Sequence, residues 1–224
     1  MPAYTLAPTD TVIAPDGTIL YRIQYADGTR GGYLQSTANL DPTSDAQVLG
    51  DAQVSGNAWV SGNARVSGDA RVSGNAQVSG NAWVSGNARV SGNAQVSGNA
   101  WVSGDAWVYG GARVLGDARV LGDARVSGNA QVSGNAQVSG DAWVYGDAWV
   151  YGDARVSKPQ HCLTVGPLGS RAATLTVCRD STLSLSYATG CFFGSREAFL
   201  AAVEATHGDS PIGNVYAAAV MLAD

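Results

Sequence analysis

From Asp45 to Lys158 the chain repeats one pattern of apolar and polar positions with a period of six: Asx-Ala-x-Val-x-Gly. The first copy starts at Asp45 and the last at Asp153, nineteen copies without insertion or deletion between them. An internal repeat of this kind outranks other local signals. Ala and Val are two residues apart, as in Ala58 and Val60, and residues two apart on an extended chain point to the same side. The pattern therefore predicts Ala and Val facing in, with the third position (Gln, Trp or Arg) and the fifth (mostly Ser) facing out. Gly-Asx pairs such as Gly62-Asn63 and Gly68-Asp69 break each strand, because Gly and Asn accept positive φ and Asx side chains bond nearby backbone. A helix is excluded on the same pattern. Six residues drift off a 3.6-residue turn, and each recurring Gly would cost about 1 kcal/mol.

A short strand and a corner, repeated, close into a triangular coil of three units, and successive coils stack at about 4.8 Å. Every third unit then returns to the same face, so outward residues stand in columns eighteen apart. The first face reads Gln47, Arg65, Trp83, Trp101, Arg119, Gln137, Arg155. The second reads Gln53, Arg71, Arg89, Trp107, Arg125, Trp143, and the third reads Trp59, Gln77, Gln95, Arg113, Gln131, Trp149. All six tryptophans occupy this outward position. The fifth position is Ser from Ser55 through Ser103, after which Tyr109, Leu115, Leu121, Tyr145 and Tyr151 enter among the serines. The C-terminal half thus carries the more apolar outer wall.

The flanks divide the chain into three expected domains: an N-terminal cap at 1–44, the repeat at 45–158 and an α+β cap or assembly module at 159–224. In the first, Ile19–Tyr25 and Tyr33-Leu34, joined through Asp27-Gly28 and Gly31-Gly32, predict a hairpin covering the first coil. Asn39–Ser44 reads as a degenerate unit in register with the repeat. Beyond Lys158-Pro159, alternation predicts three antiparallel strands at 162–165, 174–177 and 183–187, with turns at 166–170 and 179–181. Ser195 is placed to cap a helix that His207-Gly208 stops, and Ser210-Pro211 to open a second.

Charge narrows the functional classes. The 224 residues carry a net charge of −5, of which the repeat contributes −1 and the flanks −4. No basic field of the kind duplex nucleic acid requires exists, although Arg can act locally as a planar fork for phosphate or carboxylate. Met1–Thr5 does not read as a signal peptide, and no apolar run approaches the ~20 residues of a membrane span. Cys162, Cys178 and Cys191 are expected as reduced, buried thiols of a cytoplasmic protein rather than zinc ligands with His161 and His207, since no C-x-x-C pair exists.

The Asx-Ala-x-Val-x-Gly unit resembles the hexapeptide-repeat left-handed parallel β-helix family, over about half of the chain. That resemblance implies a mainly β fold: a left-handed triangular prism of about six coils, with trimers formed by prisms side by side. Many members are acyltransferases with a coenzyme-A donor, and others hold a metal through three histidines. Both kinds place histidine on the coils, and this chain has only His161 and His207, outside them. Asp27–Tyr33 and Gly190–Gly194 followed by Phe199–Asp209 resemble bacteriophage and prophage proteins, which implies a phage-type origin and a host cytoplasm.

Trp107, Arg125 and Trp143, flanked by Tyr109 and Tyr145 and continued by Arg89, form the candidate binding wall. Aromatic planes beside a guanidinium suit a nucleobase with phosphate. Trp, Tyr and Arg are also the residues enriched in interfaces. The resulting expectation is a non-enzymatic homotrimer without cofactor or metal, binding a small anionic ligand of nucleotide type or a host protein between subunits, in the manner of a counter-defence sponge. The alternatives are a structural or adhesive spike and an acyltransferase.

Overall fold

The computed structural model describes residues 4–169, 171–182 and 184–223. The repeat is a parallel β-solenoid. Each unit contributes one two-residue strand, always the third-position residue and the following Val, from Gln47–Val48 to Arg155–Val156. The strands form three parallel stacks. The first face runs from Gln47–Val48 to Arg155–Val156, the second from Gln53–Val54 to Trp143–Val144, and the third from Trp59–Val60 to Trp149–Val150. Register holds throughout, for example Trp107 on Arg125 and Arg125 on Trp143. Backbone bonds carry it: Trp107 N–H donates to Ala124 C=O at 2.9 Å and Tyr109 N–H to Val126 C=O at 3.0 Å. Every Ala and Val of the repeat is buried, in one continuous core that reaches Ile23 and Tyr25 at one end and Cys178 at the other.

The corners are as strict as the core. At Gly98, φ is +75° and an added Cβ would lie 2.8 Å from the Gly116 nitrogen and 2.9 Å from its oxygen. Gly146, with φ +68°, has nothing within 4 Å of such an atom. Gly98→Ala is therefore expected to meet both strain and collision, and Gly146→Ala strain alone. Strained left-handed residues cost about 1–3 kcal/mol each, so the melting temperature should fall further for Gly98→Ala. Asn side chains reinforce these corners in ladders, such as Asn63 to Asn81, Asn81 to Asn99, and Asn99 to Asp117 at 2.8 Å.

The N-terminal segment has three strands where the sequence predicts two: β1 (Tyr4–Ile13), β2 (Ile19–Tyr25) and β3 (Arg30–Leu34). β1 escapes the pattern because Pro8 and polar neighbours interrupt its alternation; pairing with β2 shifts register between Ala7 and Thr11, and Pro is tolerated at such edges and bulges. β3 lies parallel on Gln53–Val54, which closes the second-face stack. The expected register of Asn39–Ser44 is corrected. Leu40, not Pro42, stacks on Val60, just as Leu34 stacks on Val54. The lead-in units therefore stand two residues out of step, and 41–47 absorbs the shift. Asn39 is buried at the third position, and its amide donates to Gly56 C=O and Ala58 C=O, both at 2.9 Å. The side chain thus replaces backbone donors that no earlier coil supplies. Tyr25 does the same for the first face: its hydroxyl accepts from Val48 N–H and donates to Val48 C=O. Burial pushes that phenol above its ordinary pKa, so it keeps the proton it donates.

At the other end a four-stranded antiparallel sheet, Cys162–Leu168, Ala173–Arg179, Leu185–Thr189 and Phe192–Gly194, replaces the expected three strands. The fourth is a three-residue strand with too little alternation to read. Helices α1 (Arg196–His207) and α2 (Pro211–Met221) pack on the sheet, with Ser195 and Ser210 capping their starts. Thr176 accepts the Trp149 N–H at 2.9 Å, which ties the sheet to the last coil. Ser170 and Leu183, at ends of an expected turn and strand, lie outside the described residues, as do the first three residues of the leader reading. The cysteine expectation is corrected. Cys162 and Cys178 lie opposite one another on adjacent strands and form a disulfide, while Cys191 is free and exposed. A sequence separation of sixteen hid the cross-strand pairing.

Candidate functional site

The second face is built from two outward columns that the coil geometry sets side by side. Position three gives Gln53, Arg71, Arg89, Trp107, Arg125 and Trp143, paired in register along the stack. Position five gives Ser55, Ser73, Ser91, Tyr109, Ser127 and Tyr145, each carried by a rung whose backbone bonds the next. Large residues in the first column and small ones in the second leave a lengthwise trough.

Tyr109 divides it. Its ring meets Trp107 edge-on at 6.4 Å and 85°. On the N-terminal side lies a hollow of about 290 Å³, floored by Ser55, Ser73 and Ser91 and walled by Arg71, Arg89 and Trp107. The turn between β1 and β2, Ala14-Pro15-Asp16, closes its far end. The Thr18 backbone N–H, then its hydroxyl, hold the Asp16 carboxyl below the ordinary carboxylate range. On the C-terminal side a second hollow of about 300 Å³ lies between Tyr109 and Tyr145, with Arg125, Ser127 and Trp143. Both volumes sit at the small end of ligand pockets.

The six residues singled out in the sequence, Trp107, Arg125, Trp143, Tyr109, Tyr145 and Arg89, all line this trough. The structure adds Arg71, Ser55, Ser73, Ser91 and the 14–16 turn. Arg71 and the serines were visible as columns, but the turn that closes over them was not.

The stacking is alternately cationic and aromatic. The Arg89 guanidinium lies 4.8 Å from the Trp107 ring centre on one side and that of Arg125 5.5 Å on the other; Arg125 is also 5.0 Å from Trp143. Trp107 is thus sandwiched, which fixes its plane. Among the described residues, Arg71, Arg89 and Arg125 form no ion pair, so their planar donors face the trough and solvent. Asp105, Asp123 and Asp141 stack along the preceding corner and line neither hollow. They offset the long-range field of the guanidinium groups.

The other faces differ. On the first, Trp83 and Trp101 stack at 5.5 Å and 10°. Neither histidine is near the trough: His161 contacts Ser157, and His207 stacks on Tyr216. Among the described residues no three His, Cys, Asp or Glu side chains converge as metal ligands, and no helix is long and apolar enough to cross a membrane.

The repeats are similar to a family described as YdcK Beta solenoid repeat, whose model matches residues 52–68, 64–80, 76–92, 94–110, 130–146 and 136–152. Every match begins on an inward Ala, from Ala52 to Ala136, so the family pattern is keyed to the same core register. Together with the three parallel stacks, these matches place the chain among repeat β-solenoid proteins. No curated protein matches the chain significantly.

Proposed function

We propose that this protein binds a small planar anion of the nucleotide kind in the second-face trough, without catalysing a reaction on it. One observation carries the reading: Arg71 and Arg89 stand beside the sandwiched Trp107, over a serine floor, in a hollow closed by the 14–16 turn. The exposed edge of the sandwiched indole and the Tyr109 ring meet a base edge-on, two guanidinium forks accept phosphate, and serine hydroxyls satisfy the remaining polar edges. General acid–base chemistry needs a proton carrier matched to the operating pH; neither histidine lines the hollows, and Asp16, which does, is held below the ordinary carboxylate range by Thr18.

The same wall is too aromatic to stay bare on a free rod. Trp143 is 52% exposed and Tyr145 59%, and exposed aromatic patches rimmed by polar groups mark association sites. The proposal therefore includes a homotrimer of prisms whose neighbours cover the trough and share the ligand. Hexapeptide-type units coiled left-handed belong to this reading, as do phage-type flanks. In that setting the protein would sequester a nucleotide-derived signal in a host cell.

The test is calorimetric titration with mono- and cyclic adenine and guanine nucleotides, alongside light scattering. Saturable binding by a particle of three chains is expected. Absence of binding to all of them would remove the nucleotide reading and favour a spike or host-protein surface. A well-folded monomer would remove the shared site.

A further inference from the structure

The C-terminal segment has its own apolar centre, separate from the solenoid core, built around Leu175, Tyr187, Phe199 and Tyr216. A hollow of about 370 Å³ opens into it, between Gly169, Arg171 and Ala173 on one side, Thr189, Gly190 and Cys191 on another, and helix α1. Its walls are rings. Phe192 and Phe199 meet edge-to-face at 5.3 Å, Phe199 and Tyr216 at 5.9 Å, and His207 lies nearly parallel to Tyr216 at 5.7 Å. Arg171 stands in the lining, and among the described residues no carboxylate does. Thr189 also lines it; its hydroxyl oxygen is buried and has no hydrogen-bond partner among the described residues.

We infer that this hollow is a second ligand site, distinct from the trough, that takes a small flat aromatic acid. Its ring lies against Phe192, Phe199 and Tyr216, where offset and edge contacts add to burial. The acid meets the Arg171 guanidinium, the permanently charged group of the lining, in a charge-assisted pair. The volume falls within the range of small-molecule pockets.

Cys191 makes the site measurable. Its thiol is free, exposed and part of the lining, so an occupant should shield it. The experiment follows alkylation of Cys191 in the full chain by iodoacetamide, read by peptide mass, with naphthoate as the probe and naphthylmethylamine as its cationic counterpart. Naphthoate is expected to slow alkylation saturably, and the amine not to. Arg171→Gln should raise the half-protecting concentration about tenfold, the worth of one bond to a charged group, while Arg113→Gln on the third face changes nothing. Ala202→Trp, which fills the hollow from half-buried α1, should abolish protection. Should that variant misfold by circular dichroism, the exposed Arg171→Gln still decides. Alkylation unslowed by saturating naphthoate, equal protection by the amine, or an unchanged response in Arg171→Gln would overturn the assignment. None of these outcomes depends on whether the trough binds nucleotide.

Discussion

Val126→Asp is expected to prevent folding, or to lower stability by roughly 3–5 kcal/mol, the scale for an uncompensated buried charge. Val126 is fully buried between Val108 and Val144 of the adjoining coils. A carboxylate there loses its hydration and meets only aliphatic carbon and already-bonded backbone. Ser127→Asp, one residue on, places the same group in the half-buried second hollow beside Arg125, where water and a guanidinium reach it. Surface changes of that kind usually stay within about 0.5 kcal/mol. Thermal unfolding separates the pair, since about 1 kcal/mol moves the midpoint by 2–4 °C in a chain of this size. Equal midpoints for the two variants would refute the alternation of inward and outward positions.

Arg89→Ala should weaken nucleotide binding by about 1.5–3 kcal/mol, the range for hydrogen bonds to charged groups, which is roughly 10- to 150-fold. Arg89 lines the N-terminal hollow and supports one side of Trp107 at 4.8 Å, so its loss removes both an anion fork and a ring support. Stability should fall by only about 0.5–1 kcal/mol, the value of an exposed cation–π contact. Arg89→Lys should restore little, because a point charge reproduces neither the planar fork nor the stacking. Calorimetry on the three proteins reads the difference. Unchanged affinity in Arg89→Ala would move the ligand out of the N-terminal hollow. Arg125→Ala would then report on the hollow beyond Tyr109.

The solenoid was legible because its information is local and repeated. Ala58 and Val60 fix the inward side within four residues, and eighteen-residue spacing then places Trp107 on Arg125 without reference to distant sequence. The candidate wall inherited that clarity, because each of its members sits at a repeat position. What could not be read depends on contacts between unlike segments. The Ala14–Asp16 turn closes the trough only because β1 and β2 lie in the same sheet as Gln53–Val54. Leu40 stands out of register, with the Asn39 amide turned inward onto the Gly56 and Ala58 carbonyls. The Cys162–Cys178 bond likewise required knowing which strand faces which, and periodic spacing ends at Lys158.

The strict coil also makes the protein sensitive to phase. Tandem, nearly identical coding units are open to slippage during replication, and loss of a single unit between Trp107 and Arg125 would turn all that follows through one third of a revolution. Arg125 and Trp143 would leave the Trp107 column, and the β-solenoid core, identical in every unit, would scarcely register the change. Loss or gain of three units shortens or lengthens the rod by one storey and keeps every downstream residue on its own side. The hydrophobic interior therefore tolerates any whole number of repeats, while the outer wall tolerates only multiples of three. Selection on copy number would act through the surface alone.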